Sequence, residues 1–170
     1  MSTQTAYIGI GSNLSWLGRP PGAVVPAAAR ALARLGSLRL SPLYDSPAWP
    51  NPSGPAYVNA VAALETALAP EAVLAACQAI EAGFGRRRDA ANRNASRTLD
   101  LDLLALGGAV IETETLTLPH PRLAARDFVL APLRDLAPGW RHPVSGRPIA
   151  DLLAEVAKAA VKRPNCDGTH

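Results

Sequence analysis

The chain has 170 residues, 48% hydrophobic and 18% charged, with a net charge of +3. Those figures describe a soluble globular protein of one domain with a sizeable core. No apolar run is long enough to span a bilayer, and the first five residues carry neither the basic nor the apolar region of a signal peptide, so a cytoplasmic protein is expected.

The periodicity is that of alternating strands and helices. Ala6 to Gly11 reads as a first strand, stopped by the turn formers Gly11-Ser12-Asn13. Ser15 to Gly22 is a Pro/Gly-rich loop. Ala23 to Leu35 has helical spacing, with Gly36 as its C-terminal stop. Leu38 to Ser46 reads as one strand, and the proline-rich run Pro47 to Pro55 excludes regular structure. Tyr57 to Leu68 reads as a third strand. Pro70 suits the first position of a helix whose apolar stripe is Val73, Leu74, Cys77, Ile80 and Phe84. A strand over residues 97–104 follows an arginine-rich loop.

Beyond it, Val110-Ile111 and Leu116 to Leu118 suggest a small extra hairpin, and Pro119-His120-Pro121 a rigid, extended link. Leu123 to Leu136 and Ile149 to Val161 read as two more helices. The order strand, helix, strand, strand, helix, strand is the split βαβ pattern. The expected fold is therefore α+β, a ferredoxin-like βαββαβ core with an antiparallel sheet plus a C-terminal hairpin and helices. Helices on one face would leave the other open to a ligand. A single domain over 1–163 with a frayed tail over 164–170 is expected.

The two cysteines, Cys77 and Cys166, are far apart and form no metal-binding cluster. Cys77 reads as a buried free thiol. The charge is uneven. Residues 86–97 hold five arginines (Arg86, Arg87, Arg88, Arg93, Arg97) against Asp89, a net +4. Such a patch suits an anionic ligand.

Immediately after it, Arg-Thr-Leu-Asp-Leu-Asp places Asp100 and Asp102 on one face of a strand and Leu99, Leu101 and Leu103 on the other. The two carboxylates then stand about 7 Å apart along the backbone. Each raises the other's pKa unless a cation lies between them. Paired hard oxygens suit Mg²⁺, which keeps waters and also holds substrate phosphates.

Together with Gly11-Ser12-Asn13, Tyr57-Val58-Asn59, Gln78-Ala79-Ile80-Glu81, Leu118-Pro119-His120 and Arg126-Asp127-Phe128, in this order, the aspartate motif resembles the 6-hydroxymethyl-7,8-dihydropterin pyrophosphokinase family of folate biosynthesis. The resemblance runs from about residue 5 to 155. It implies transfer of pyrophosphate from ATP to the pterin hydroxymethyl group, with release of AMP. Two Mg²⁺ ions would be held by Asp100 and Asp102, and these carboxylates would also help take the hydroxyl proton. Arg86 and Arg97 would neutralise charge on the transferring phosphates.

By the same resemblance, Gln78, Glu81, Arg86, Arg97, Thr117, His120 and Arg126 would lie on ATP, with backbone near Leu103 reading adenine. The pterin would stack between Tyr57 and Phe128, with Asn59 reading its edge and Ser46, Pro47, Ala48 and Trp49 forming the wall. The implied partners are these small molecules alone, with no nucleic acid, no membrane and a monomeric chain.

Each residue also has a plain structural reading. Tyr57 and Phe128 serve equally as packed aromatics, His120 as a turn residue, Arg126 as a partner of Asp127 or Asp135, and Ser12 and Asn13 as turn formers. The chain departs from the family in the stretch Asn92 to Ser96, which lacks the usual Trp and Gly-Pro, so Arg87, Arg88 and Arg93 have no firm roles. Trp49-Pro50 is bulkier than the family's pattern, and Trp49 would cover the pterin pocket. Two other readings compete: a non-catalytic pterin- or nucleotide-binding homologue, and an RNA-binding module on a ferredoxin-like sheet. The second lacks the aromatic motif, and its face would carry two aspartates.

Overall fold

A computed structural model describes residues 2–48, 52–87, 91 and 95–161. Trp49, Pro50, Arg88, Arg93, the stretch 92–94 and the tail 164–170 lie outside the described residues.

The fold combines four helices with an antiparallel sheet. The sheet strands are β1 (Gln4–Ser12), β2 (Ser37–Leu40), β3 (Tyr44–Ser46), β4 (Tyr57–Thr66) and β5 (Asp100–Leu106), in the order β2-β4-β1-β5, with β3 also on β4. β6 (Ile111–Glu112) and β7 (Thr117–Leu118) form a separate antiparallel pair. The helices are α1 (Pro21–Leu32), α2 (Pro70–Gly83), α3 (Asp127–Leu136) and α4 (Ile149–Val161). Proline occupies the first position of both α1 and α2, where its missing N–H costs nothing.

Alternation along the strands builds two cores. Ala6, Ile8 and Ile10 of β1, Ala60, Ala62 and Leu64 of β4, and Leu101 and Leu103 of β5 face α1 and α2. Val61, Leu104 and Ala105 point the other way, against Leu130 and Leu133 of α3 and Ile149 and Leu152 of α4. The second face is therefore not open along its length, as a helices-on-one-face fold would leave it. The amphipathic C-terminal helices need an apolar surface and find it there.

Three further expectations change. The single strand Leu38 to Ser46 is two, because Pro42 has no N–H for the ladder. The register steps from Leu40↔Ala62 to Tyr44↔Asn59, so one extra residue bulges on the edge side. Ser41 Oγ fills the gap by accepting the Val61 N–H at 2.9 Å. The helix expected over Leu123 to Leu136 is a short 3₁₀ turn, Leu123–Ala125, then α3, with Arg126 extended between them (φ −120°, ψ 109°). Asp127 Oδ1 accepts the Phe128 N–H at 2.7 Å, supporting the restart. The chain bends at Pro119, after a cis Leu118–Pro119 peptide, instead of running extended.

Gly36 ends the 3₁₀ extension of α1 for a steric reason: a Cβ there would lie 2.0 Å from the Glu65 carbonyl oxygen.

Candidate active site

The far end of the second sheet face is where the polar residues gather. Cross-strand partners share a face, and Gly11 of β1 pairs with Asn59 on one side and Asp100 on the other. Gly9 likewise sits opposite Asp102. With no side chain at 9 or 11, the centre of this face is a shallow floor. A Cβ on Gly11 would stand 3.3 Å from Asn59 Oδ1, 3.8 Å from Tyr57 Cδ1 and 4.0 Å from Asp100 Cβ. One backbone position thus separates the expected pterin residues from the expected metal residue.

Asp100 and Asp102 project from β5, an edge strand of the sheet. Asp100 Oδ1 accepts from Arg86 Nη1 at 2.7 Å and its Oδ2 from Arg97 Nη1 at 3.2 Å. Arg86 reaches it from just beyond α2, on the opposite face, by wrapping round the strand edge. The same Nη1 donates to Glu81 Oε1. Glu81 is only 2% exposed, and its Oε1 also accepts the Leu101 N–H at 2.8 Å. It therefore serves the otherwise unpaired edge of β5 and orients Arg86.

Asp102 is held more loosely, with Arg126 Nη1 3.7 Å from its Oδ2. Burial, with Asp100 close by, pushes the Asp102 carboxyl up to about 6, although Arg126 opposes the shift. This is the behaviour of a carboxylate pair short of positive charge. Two oxygen-bearing groups on one strand face, one of them under-neutralised, fit a divalent cation that draws its other ligands from water and phosphate.

A cavity of about 520 Å³ opens over this cluster. Ten of the expected residues line it together: Gln78, Glu81, Arg86, Arg97, Asp100, Asp102, Leu103, Thr117, His120 and Arg126. His120 is anchored through its N–H to the Leu104 carbonyl at 2.8 Å, and its Nδ1 accepts from Arg122 N–H at 3.1 Å. Burial, then Arg126 and Arg122, hold its pKa below the ordinary histidine range, so it is neutral at pH 7.

The cavity also has walls that the sequence reading missed: Leu74, Arg122 and the turn Thr113 to Leu116 between β6 and β7. Three threonines within five residues of a short hairpin were the available signal.

Among the described residues, those expected at the pterin (Ser46, Pro47, Ala48, Tyr57, Asn59 and Phe128) do not line this cavity. Ser46 and Asn59 meet across β3 and β4, where Asn59 Nδ2 donates to Ser46 Oγ at 2.7 Å. Tyr57 pairs with Ser46 in register and is half-buried, which raises its hydroxyl pKa. Pro47 and Ala48 follow β3 in irregular chain. Phe128 opens α3 and rests on the second core, with the Arg126 guanidinium 5.6 Å from its ring centroid, a cation–π contact. Arg126 thus links the two groups. Arg87 is exposed, with no place in the cavity wall. Cys77 is a buried free thiol whose pKa burial pushes up to about 12, and it is inert for that reason.

An antiparallel sheet flanked by helices thus carries a carboxylate pair among arginines in one polar cavity, an arrangement suited to an anionic, phosphate-bearing ligand. The comparisons with known proteins narrow this further. The chain belongs to the 7,8-dihydro-6-hydroxymethylpterin-pyrophosphokinase (HPPK) family, which it matches over residues 7–138. It is 44% identical over 167 residues to a Pseudomonas aeruginosa protein named 2-amino-4-hydroxy-6-hydroxymethyldihydropteridine pyrophosphokinase, covering 94% of this chain and 96% of that one. A Synechocystis protein of the same name is 38% identical over 157 residues, covering 92% and 78%. Among solved structures, Plasmodium falciparum HPPK-DHPS with pteroate superposes with a TM-score of 0.72 over 98% of this chain, at 15% identity. That likeness speaks to the fold alone, and the present chain spans 44% of the Plasmodium one.

Proposed function

We propose that the chain transfers pyrophosphate from ATP to 6-hydroxymethyl-7,8-dihydropterin and releases AMP, as a step of folate biosynthesis. The observation that carries this reading is the meeting of Asp100, Asp102, Arg86, Arg97 and Arg126 on one cavity. Transfer of this kind needs charge neutralisation and alignment more than covalent help. Bound Mg²⁺, two ions in this reading, supplies charge to the ATP phosphates.

The chain's own residues do the rest. Asp100 and Asp102 would hold the cations, and one or both carboxylates would help take the hydroxyl proton. Arg86 and Arg97, held here on Asp100, would neutralise charge on the transferring phosphates. Neutral His120 offers a ring nitrogen to ribose or phosphate, while Gln78 and Thr117 contact the nucleotide and the backbone at Leu103 reads adenine. The pterin lies over Gly11, with Asn59 and the Ser46 and Ala48 backbone at its edge, Pro47 and Trp49 as wall, and Tyr57 and Phe128 as stacking partners.

The strand order supports a ferredoxin-like βαββαβ core in which β3 offsets the second strand, with α3, α4 and the β6–β7 pair as additions. Two cores sharing one sheet support a single domain over 1–163, which we take to be monomeric and cytoplasmic. An RNA-binding sheet needs an exposed aromatic face, and α3 and α4 occupy much of that face here.

The deciding experiment measures AMP formed from ATP and the pterin, with and without Mg²⁺, beside Asp102→Ala. Mg²⁺-dependent AMP that falls at least a thousandfold in the variant is the expected result, with pterin binding changed far less. Equal loss of pterin binding and turnover would refute the metal role. A folded protein that binds pterin and makes no AMP would leave the binding-protein reading.

A further inference from the structure

The segment between β1 and α1 carries none of the proposed chemistry, yet it touches both ends of the arginine-bearing stretch. At the entry, Trp16 stacks on Phe84 with ring centroids 4.7 Å apart and planes tilted by 35°. A Cβ on Gly85, whose φ is +75°, would stand 2.9 Å from Trp16 Nε1. The indole is thus seated against the residue immediately before Arg86.

At the exit, Asn13 Oδ1 accepts the Arg97 N–H at 2.8 Å, and the Asn13 N–H donates to the Arg97 carbonyl at 3.2 Å. Its side-chain amide Nδ2 donates to Ser96 Oγ and to the Pro55 carbonyl, each at 3.1 Å. Asn13 is 3% exposed, so these bonds are shielded from competing water.

The backbone between the two holds is itself fixed. Trp16 and Arg19 exchange both backbone hydrogen bonds, at 3.0 and 2.9 Å, round a two-residue turn. Leu17 in that turn has φ +47° and Gly18 has φ +74°. A left-handed leucine is strained and persists only where its surroundings over-determine it. Leu17 is 79% exposed, so its own side chain buries little to offset that strain. The turn does fix the direction in which Trp16 leaves the chain.

We propose that Trp16 and Asn13 are positioning residues, setting the points from which Arg86 and Arg97 reach the phosphates. This inference rests on the functional reading above. Both guanidinium groups converge on Asp100 from opposite ends of one stretch, so a shift at either end misaligns one cation relative to the other. Misplacement of about 1 Å costs up to about a hundredfold in rate. For Trp16, seated on Phe84 and Gly85, the loss falls on kcat; Asn13 also holds the Pro55 carbonyl, two residues before Tyr57, so its loss reaches the pterin side as well.

The test is steady-state AMP formation by Trp16→Ala, Trp16→Phe and Asn13→Ala, with Trp16→Ala repeated in an Arg86→Ala background. Expected are a fall in kcat of at least tenfold for the two alanine variants, a pterin KM within threefold of wild type for Trp16→Ala, and substantial rescue by phenylalanine. In the Arg86→Ala background, Trp16→Ala should cost less than twofold, since its effect acts through Arg86. Phe84→Leu keeps the indole and removes the ring it stacks on. It should reproduce the kcat loss, and it decides the matter if Trp16→Ala does not fold. Equal losses in both backgrounds, or an unchanged kcat in folded Trp16→Ala or Phe84→Leu, overturn the inference. A wild type that makes no AMP overturns the functional reading, and this one with it.

Discussion

Glu81 faces inward, and its two substitutions separate what its oxygen does from what its charge does. In Glu81→Gln the side-chain oxygen still accepts the Leu101 N–H, now 2.8 Å away. The lost charge weakens the contact with Arg86, which keeps Asp100 at 2.7 Å, so the expected cost is about 1 kcal/mol. Glu81→Ala removes the acceptor from a buried N–H, worth about 1–3 kcal/mol, and leaves a gap under Arg86 besides. About 3–4 kcal/mol is then expected, within the range for breaking one side of a buried charged pair. At about 2–4 °C per kcal/mol for a chain of this size, Glu81→Ala should melt roughly 6–16 °C lower and Glu81→Gln only about 2–4 °C lower. Urea unfolding and thermal melts check both values. The KM for ATP should hold within about threefold in Glu81→Gln, since the carboxylate is turned towards protein. Equal destabilisation by the two variants would show that charge, not the edge hydrogen bond, is what matters. A tenfold rise in the ATP KM for Glu81→Gln would show that this residue touches the nucleotide directly, as its place in the cavity wall allows.

Gly11→Val places methyl groups where Asn59, Tyr57 and Asp100 converge. It should cost about 1–3 kcal/mol through overpacking and raise the pterin KM at least tenfold, as read by steady-state kinetics. Leu17→Gly relieves a left-handed conformation worth about 1–2 kcal/mol, less about 0.5–1 kcal/mol for glycine's unfolded freedom; a gain of about 0.5–1 kcal/mol in urea unfolding is expected. In the metal-free protein Asp102 binds its proton more tightly when folded, with a pKa raised from 3.8 to about 6. The folded state therefore holds more protons than the unfolded one in that interval. Its contribution to stability is full below about pH 4, declines as pH rises to about 6, and is flat above. Thermal melts in chelator from pH 4 to 7 should show this slope in the wild type and its reduction in Asp102→Asn.

Much of the chain was legible from periodicity because its strands and helices each bury one face, and one helix also announces its start with a proline. Pro70 marks the start of α2 in the sequence and in the structure alike. Breaks inside elements were harder to read. Pro42 divides a strand without disturbing the apolar alternation around it, and Arg126 interrupts an apolar run that continues on both sides. At the site, Asp100, Asp102 and Arg97 declare themselves through a local motif. The inward turn of Glu81, the Asn13 bridge and the Trp16–Phe84 stack depend on segments 20 to 84 residues apart, which no local pattern records. The coverage of the second sheet face was missed for a similar reason: the amphipathic pattern of α3 and α4 shows that they dock, not where.

Glu81 and His120 also bear on how the chain avoids its own kind. β5 is an edge strand of the sheet and rich in leucine, and an edge strand left unpaired recruits a neighbour into an intermolecular ladder. Its Leu101 N–H is taken by Glu81 and its Leu104 carbonyl by the His120 N–H, while Asp100 and Asp102 set negative charge along the same margin. Colloidal behaviour and turnover therefore draw on the same few groups. Preparations that replace both aspartates by alanine should self-associate more readily than the wild type, even where each molecule remains folded.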